Sequence, residues 1–317
     1  MALKVAALAG GVGGAKLADG LSRSLPTGHL TVIVNTADDF EHLGLSISPD
    51  LDTVTYTLAG LASPETGWGR RDETWNFLQA LEQLGGPVWF CLGDRDLALH
   101  VERTRRLALG EPLSQITADL AGRLGVDQVI LPMTDDRVRT IVDTEAGELP
   151  FQEYFVLHHF EPAVCGFRFE GSERARPAPG VLEAVQAADC VVFCPSNPWV
   201  SLDPILSLPA IAEAVRAKPV IGVSPIVGGR ALRGPAAKMF SELGIEPSAL
   251  SAAAHFRDYL KVFVIDHEDA NLSSDIGKLG MEVFVAEAVM ITPDDRTRLA
   301  QEVLVLASEL VAAERAA

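Results

Sequence analysis

The chain has 317 residues, 48% of them hydrophobic, and a formal net charge of -17. That length buries a substantial core, as one large domain or a domain plus a subdomain, and the composition is that of a folded globule rather than a disordered chain. The charge excludes a general affinity for nucleic acid or for an anionic membrane surface, since both require a basic face.

The opening MALKVAALAGG is too short to span a bilayer and runs into glycines, so it is expected to form a first β-strand of a cytoplasmic protein. Further strands are expected at Leu30–Asn35, Val88–Leu92, Gln128–Leu131, Cys190–Cys194, Pro219–Val223 and Val262–Ile265, after the first at Lys4–Leu8. Several are apolar throughout and rich in Val and Ile, as parallel strands covered on both faces require. Between them, apolar residues recur at helical spacing: Leu17, Leu21 and Leu25; then Leu51, Val54, Leu58 and Leu61; near the end Leu299, Val303, Leu306 and Leu310. Thr292 or Asp294 is expected to cap the last helix, with Pro293 in its first turn.

This alternation predicts an α/β fold, a Rossmann-like doubly wound and mainly parallel sheet. The stretch from Arg137 to Glu170 reads differently. Charged residues alternate with apolar ones around a turn at Glu145–Gly147, and Phe151–Leu157 and Gly166–Glu170 continue the pattern, which predicts half-exposed antiparallel strands. Residues 113–177 are therefore expected to be an inserted smaller α/β region, a lid or oligomer contact, between core portions 1–112 and 178–317.

The four cysteines, Cys91, Cys165, Cys190 and Cys194, have no CxxC spacing, which argues against a structural zinc site. Cys91, Cys190 and Cys194 lie in apolar runs and are expected in the core.

Five stretches carry chemistry. LAGGVGGAKLADGL runs from strand to loop to helix, and Gly10, Gly11, Gly13 and Gly14 allow a close backbone approach. The helix N-terminus behind them favours an anionic phosphate, with Lys16 in its first turn. The spacing is not that of a Walker A loop and matches GxGxxG only loosely, so the loop indicates phosphate or nucleotide without choosing one. NTADDFEHLGLSISPDLDT then places Asp38, Asp39, Glu41, Asp50 and Asp52 within fifteen residues, just after the second strand. Ligands of open α/β sheets bind beyond the carboxyl ends of the strands, and Mg²⁺ prefers carboxylate oxygens shared with substrate phosphates. Asp38, Asp39, Asp50 and Asp52 are the candidate metal ligands, and His42 is a candidate substrate contact.

LGDRD follows the expected third strand with Asp94, Arg95 and Asp96; the guanidinium offers a fork for phosphate or carboxylate. CPSNPWVS supplies Ser196 and Asn197 as donors to phosphate or a base edge, and SPIVGGRALRGPAAK supplies Arg230, Arg233 and Lys238.

Taken together these stretches resemble the 2-phospho-L-lactate transferase family of coenzyme F-420 biosynthesis. The family's GG-x-G-x-x-K-L is matched by Gly10, Gly11, Gly13, Lys16 and Leu17, its NTADD by Asn35–Asp39, and its ISPDLDT by Ile47–Thr53. LGDRD at Leu92–Asp96, LPMTDD at Leu131–Asp136, PSNP at Pro195–Pro198, and SPIVGG with GPAAK in 224–238 follow in the expected order. The chain departs from some members at Val12 and Cys91, where they carry a threonine and a basic residue. The resemblance implies transfer of a phospho-linked three-carbon acid from a GDP-linked donor to the ribityl hydroxyl of the deazaflavin Fo, with GMP leaving and Mg²⁺ assisting. It implies that Gly10–Lys16, Asn35, Thr36, Ser196, Asn197 and Arg230 lie on the nucleotide side. Asp52 would meet the ribityl chain or the metal, and Asp52 or Asp94 would take the hydroxyl proton. A homodimer is expected.

Two rivals frame this expectation. A related group shares the glycine loop and an ADD element but binds nucleotide-sugars as growth regulators; the further acidic stretches ISPDLDT and LGDRD favour the transferase. A nicotinamide-dependent oxidoreductase would need a ribose-binding acid at the end of the second strand, where Asn35 and Thr36 stand.

Overall fold

The computed structural model describes residues 2–232 and 234–316. Its centre is a seven-stranded sheet. In chain order the strands are β1 (Val5–Ala9), β2 (Leu30–Val34), β3 (Val129–Pro132), β4 (Cys190–Phe193), β5 (Val220–Val223), β6 (Val262–Asp266) and β7 (Glu282–Ala286). They lie side by side in the order 3-2-1-4-5-6-7. Every pairing is parallel, with Val5 opposite Leu30 on one side and Cys190 on the other. This is the doubly wound arrangement expected from the alternation of strands and helices, and its strand order reverses between β1 and β4.

All five residues of β1 are buried. Alternate side chains feed two separate cores: Val5, Ala7 and Ala9 join Leu17, Leu21, Leu299 and Val303 on one face, while Ala6 and Leu8 join Ile33, Val191, Ile211 and Phe263 on the other. The first face is covered by helices α1 (Gly11–Ser24) and α2 (Pro49–Leu58) and by the C-terminal helix Pro293–Ala316. That last helix begins with a capping box: Asp295 N–H donates to the Thr292 hydroxyl at 3.2 Å and Thr292 N–H to the Asp295 carboxylate at 2.7 Å. Thr292, not Asp294, is the cap.

Three expectations are corrected. Val88–Leu92 forms no strand; it is an irregular segment between helices α3 (Asn76–Gln83) and α4 (Asp94–Ala108), and Cys91 on it is exposed rather than in the core. Its alternation of large apolar residues reflects an aromatic cluster, in which the Trp89 and Phe90 rings pack on Phe40 and His42. Phe151–Leu157 contributes a helical turn at Glu153–Leu157, where Phe151 and Phe155 stack four residues apart. β7 went unforeseen, because EVFVA is short and lies on the edge of the sheet.

Within residues 113–177, α5 (Leu113–Arg123) packs on β3 at the edge of the main sheet. The rest forms a separate antiparallel sheet of Arg139–Thr144, Gly147–Pro150 and Val164–Glu170, with the turn at Glu145–Ala146. This sheet docks beside the end of β2, since Thr140 N–H donates to Ala37 O at 2.8 Å. Among the described residues no helix is long and apolar enough to cross a membrane.

Candidate active site

The loops that leave the carboxyl ends of β1, β2 and β4 meet where the strand order reverses. The β1 loop leads into α1, the β2 loop carries Asn35–Asp39, and the β4 loop carries Pro195–Ser201. Asn35 ties them together: its amide donates to Asp50 Oδ2 and to Val200 O, both at 3.0 Å, and its carbonyl accepts from Ala37 N–H at 2.8 Å. Ser196 locks the first loop to the third, accepting from Gly10 N–H at 3.3 Å and donating to Gly10 O at 2.9 Å.

The glycines serve this packing. A Cβ on Gly13 would lie 2.2 Å from Pro195 O, one on Gly14 2.5 Å from Ser196 Oγ, and one on Gly10 2.6 Å from Asp50 Oδ2. Their close approach is therefore to the protein itself rather than to a ligand alone. Gly11 differs: its φ is +61° and nothing stands within 4 Å of its Cβ position. Its N–H is engaged by Asp50 Oδ1 at 2.8 Å, so a carboxylate and the glycine loop share one crevice.

The acids divide into two groups. Asp38, Asp39 and Asp50 are buried at 5%, 9% and 8% exposure. The Oδ1 atoms of Asp38 and Asp39, with the hydroxyls of Thr36 and Thr140, have no hydrogen-bond partner among the described residues. Burial lifts the Asp39 carboxyl to about 7, against the pull of the Ser48 hydroxyl and the Arg139 and Arg103 guanidiniums. Burial likewise raises Asp50 to about 6, and burial together with the charge of Asp50 raises Asp38 well above the usual range. Buried, mutually repelling carboxylates with unpartnered oxygens suit a hard divalent cation, which would neutralise them and fill their coordination.

Asp52 belongs to the second group, so the four candidate metal ligands are not gathered together. Both of its oxygens are taken by Arg103, one through Nη1 at 3.1 Å and the other through Nη2. His100 Nδ1 lies 3.6 Å from Asp52, and His100 Nε2 lies 3.3 Å from Asp96 Oδ1, off the line that a hydrogen bond needs. Tyr56 donates to that same Asp96 oxygen at 2.6 Å. Against the cost of burial, the contacts of His100 and Tyr56 hold the Asp96 carboxyl low. Asp52, Asp96 and His100 sit close enough together for a metal, but the Arg103 guanidinium already supplies the balancing charge. We therefore assign them to an ion-pair network.

Asp94 is a cap. It accepts from the Thr74 hydroxyl at 2.5 Å, the Phe77 N–H at 2.9 Å and the Asn76 side-chain amide at 2.7 Å, and these bonds, the Thr74 one largest, depress its carboxyl below the usual range. A carboxylate so engaged is a poor proton acceptor. The Arg95 guanidinium is exposed and makes no ion pair among the described residues. Lys16 Nζ is turned to Met290 O at 2.6 Å. The Asn197 amide lies 3.2 Å from Met239 Sδ while its carbonyl accepts from Trp199 N–H, so it caps the turn Pro198–Leu202. Arg230 pairs with Glu268 at 3.3 Å on the surface, and Lys238 pairs with Glu242; Arg233 lies outside the described residues. His42 is buried against Trp89, which lowers its pKa, and its Nε2 lacks a partner among the described residues.

Sequence reasoning missed Tyr56, His100, Arg103, Arg139 and Thr140. The signal for two of them was present: Asp96, His100 and Arg103 are spaced four and three apart, one face of a helix.

Comparison with known proteins shows the family. The family model described as 2-phospho-L-lactate transferase CofD matches residues 5–309. A phosphoenolpyruvate transferase of Streptomyces griseus is 42% identical, covering 97% of this chain and 99% of its own. A 2-phospho-L-lactate transferase of Methanopyrus kandleri is 41% identical over 98% of this chain and 100% of its own. The crystal structure of a UPF0052 family protein from Bacillus halodurans shares the fold, with a TM-score of 0.63 at 15% identity, covering 96% of this chain and 99% of that one. With a family match over nearly its whole length and relatives above 40% identity, the chain belongs to the 2-phospho-L-lactate transferase CofD family of transferases.

Proposed function

We propose that the protein transfers a phospho-linked three-carbon acid from a GDP-linked donor to the ribityl hydroxyl of the deazaflavin Fo, in coenzyme F-420 biosynthesis. The hydroxyl oxygen bonds to the phosphorus bearing the acid, the bridging P–O bond breaks, and GMP leaves with the bridging oxygen. The observation that carries this reading is the meeting of Gly11 N–H and Asp50 beside the unpartnered oxygens of Asp38 and Asp39, in a chain of the 2-phospho-L-lactate transferase CofD family.

Asp38 and Asp50 would hold Mg²⁺, with the Thr36 and Thr140 hydroxyls beside them. The ion supplies positive charge for the transferring phosphoryl oxygens and the departing phosphate. Asp39, lifted to about 7 by burial, is poised to accept the hydroxyl proton at Oδ1 near neutral pH. The first turn of α1 supplies amides aimed at the donor phosphates. Incubation with Fo, Mg²⁺ and the GDP-linked phospholactyl, phosphoenolpyruvyl or phosphoglyceryl donor should release GMP with one of the three. No GMP from any of them would refute the reading.

A further inference from the structure

Asp50 and Asp52 stand on the same helical turn and are anchored in opposite directions. Asp50 reaches the glycine loop, where it accepts from Gly11 N–H at 2.8 Å. Asp52 reaches α4, where both of its oxygens meet the Arg103 guanidinium. Residues two apart on a helix face away from each other, so the first turn of α2 is held between the loop on one side and α4 on the other.

The α4 side is itself braced. Arg103 Nη1 donates to Ser46 O and to His100 Nδ1, each at 3.3 Å. With Nδ1 accepting, the ring proton sits on Nε2, facing Asp96 at 3.3 Å. Asp96 in turn accepts from the Tyr56 hydroxyl, and Tyr56 is on α2, one turn beyond Asp52. The contacts thus close into a ring: Asp52, Arg103, His100, Asp96, Tyr56 and back along α2. Arg103 is 4% exposed and His100 2%, so the ring is buried at these two members, with Asp96 part-buried at its edge.

Lysine would neutralise Asp52 as a point charge. A guanidinium also fixes the rotation of the carboxylate through two parallel N–H bonds. We infer that Arg103 is a positioning residue for the proposed transfer: acting through Asp52, it sets the first turn of α2 and thereby the angle at which Asp50 meets Gly11 and the divalent-ion site. Only the kinetic part of this inference rests on the proposed reaction.

The test is Arg103→Lys, with His100→Gln as a milder second variant that loosens the guanidinium without removing its charge. Two quantities are read on protein shown to be folded by circular dichroism: Mn²⁺ affinity by electron paramagnetic resonance, and the kcat and KM of GMP release. Arg103→Lys should weaken Mn²⁺ binding and lower kcat by about 10- to 100-fold, the usual cost of losing a residue that orients a ligand. KM for the donor should stay within about twofold, because Ser196 still holds the phosphate-binding loop in place. His100→Gln should move the same two quantities in the same direction by less, and it decides the matter if the lysine variant does not fold.

Wild-type Mn²⁺ affinity and kcat in a folded variant with a lowered melting temperature would make Arg103 a structural brace only, and would overturn the inference. If the wild-type protein releases no GMP from any donor, the proposed reaction falls while Mn²⁺ affinity still judges Arg103. Weaker binding in the variant upholds its role; unchanged binding, or no Mn²⁺ binding by the wild type, overturns it.

Discussion

Stripping divalent ions should make the protein less stable as pH rises from about 4 to about 7, and restoring Mg²⁺ should make that slope shallower. Asp39, Asp50 and Asp38 all have carboxyl pKa values raised by burial, to about 7, to about 6 and well above the usual range respectively. A raised carboxyl means that the fold holds its proton more tightly than the unfolded chain does. The associated stability is complete below the ordinary carboxylate pKa and is lost as pH climbs through the folded value. For Asp39, about three units at roughly 1.4 kcal/mol each corresponds to about 4 kcal/mol. The depressed carboxyls of Asp94, Asp96 and Asp295 contribute in the opposite sense below about pH 4; within the window only the lowered His42 opposes the three raised acids. Mg²⁺ binds the deprotonated acids, so it stabilises more at higher pH, by about 2.7 kcal/mol at a hundredfold excess over Kd. Urea denaturation at about pH 5 and about pH 7.5, in EDTA and in Mg²⁺, measures both effects. Metal-free protein as stable at the higher pH as at the lower, or an equal gain from Mg²⁺ at both, would refute the reasoning.

Four substitutions test the rest of the site. Asp50→Asn should lower GMP release by about 100-fold while stabilising the metal-free protein at about pH 8, since an amide removes a charge that burial opposes; a destabilised, active variant contradicts this. Asp94→Ala should cost about 1–2 kcal/mol of stability through the lost cap on α3 and leave kcat within a few fold. A collapse of turnover at unchanged stability would return Asp94 to the chemistry. Gly13→Ala should cost about 1–3 kcal/mol, because its Cβ meets Pro195 O at 2.2 Å. Gly11→Ala should cost closer to 1 kcal/mol, because only its left-handed backbone at φ +61° opposes the change. Thermal melts of the two that coincide would count against this account.

The sheet was legible because β1, β4 and β5 are buried along their whole length, and burial on both faces writes itself as an unbroken apolar run. Val88–Leu92 imitated such a run. Its Trp89 and Phe90 are there for contacts with Phe40 and His42, and composition does not separate an aromatic cluster from a strand. The meeting of the glycine loop with Asp50 followed from the rule that ligands gather beyond the carboxyl ends of parallel strands. Which acid does what was not legible, because it depends on partners distant in sequence. Asp52 is claimed by Arg103, 51 residues away, and Asp94 by Thr74 and Phe77. Asp52→Asn, which sequence alone would treat as a clean removal of an active acid, leaves a buried guanidinium without its counter-ion and should cost about 3–5 kcal/mol.

The reciprocal bonds between Ser196 and Gly10, with Gly13 pressed against Pro195, rivet the two halves of the sheet together beneath the crevice. A floor fastened in this way does not flex to suit its guest, and substrates must conform to it. Adaptation is left to the margins. α3, which has no buried residue, is a surface whose composition can drift without loosening the crevice below.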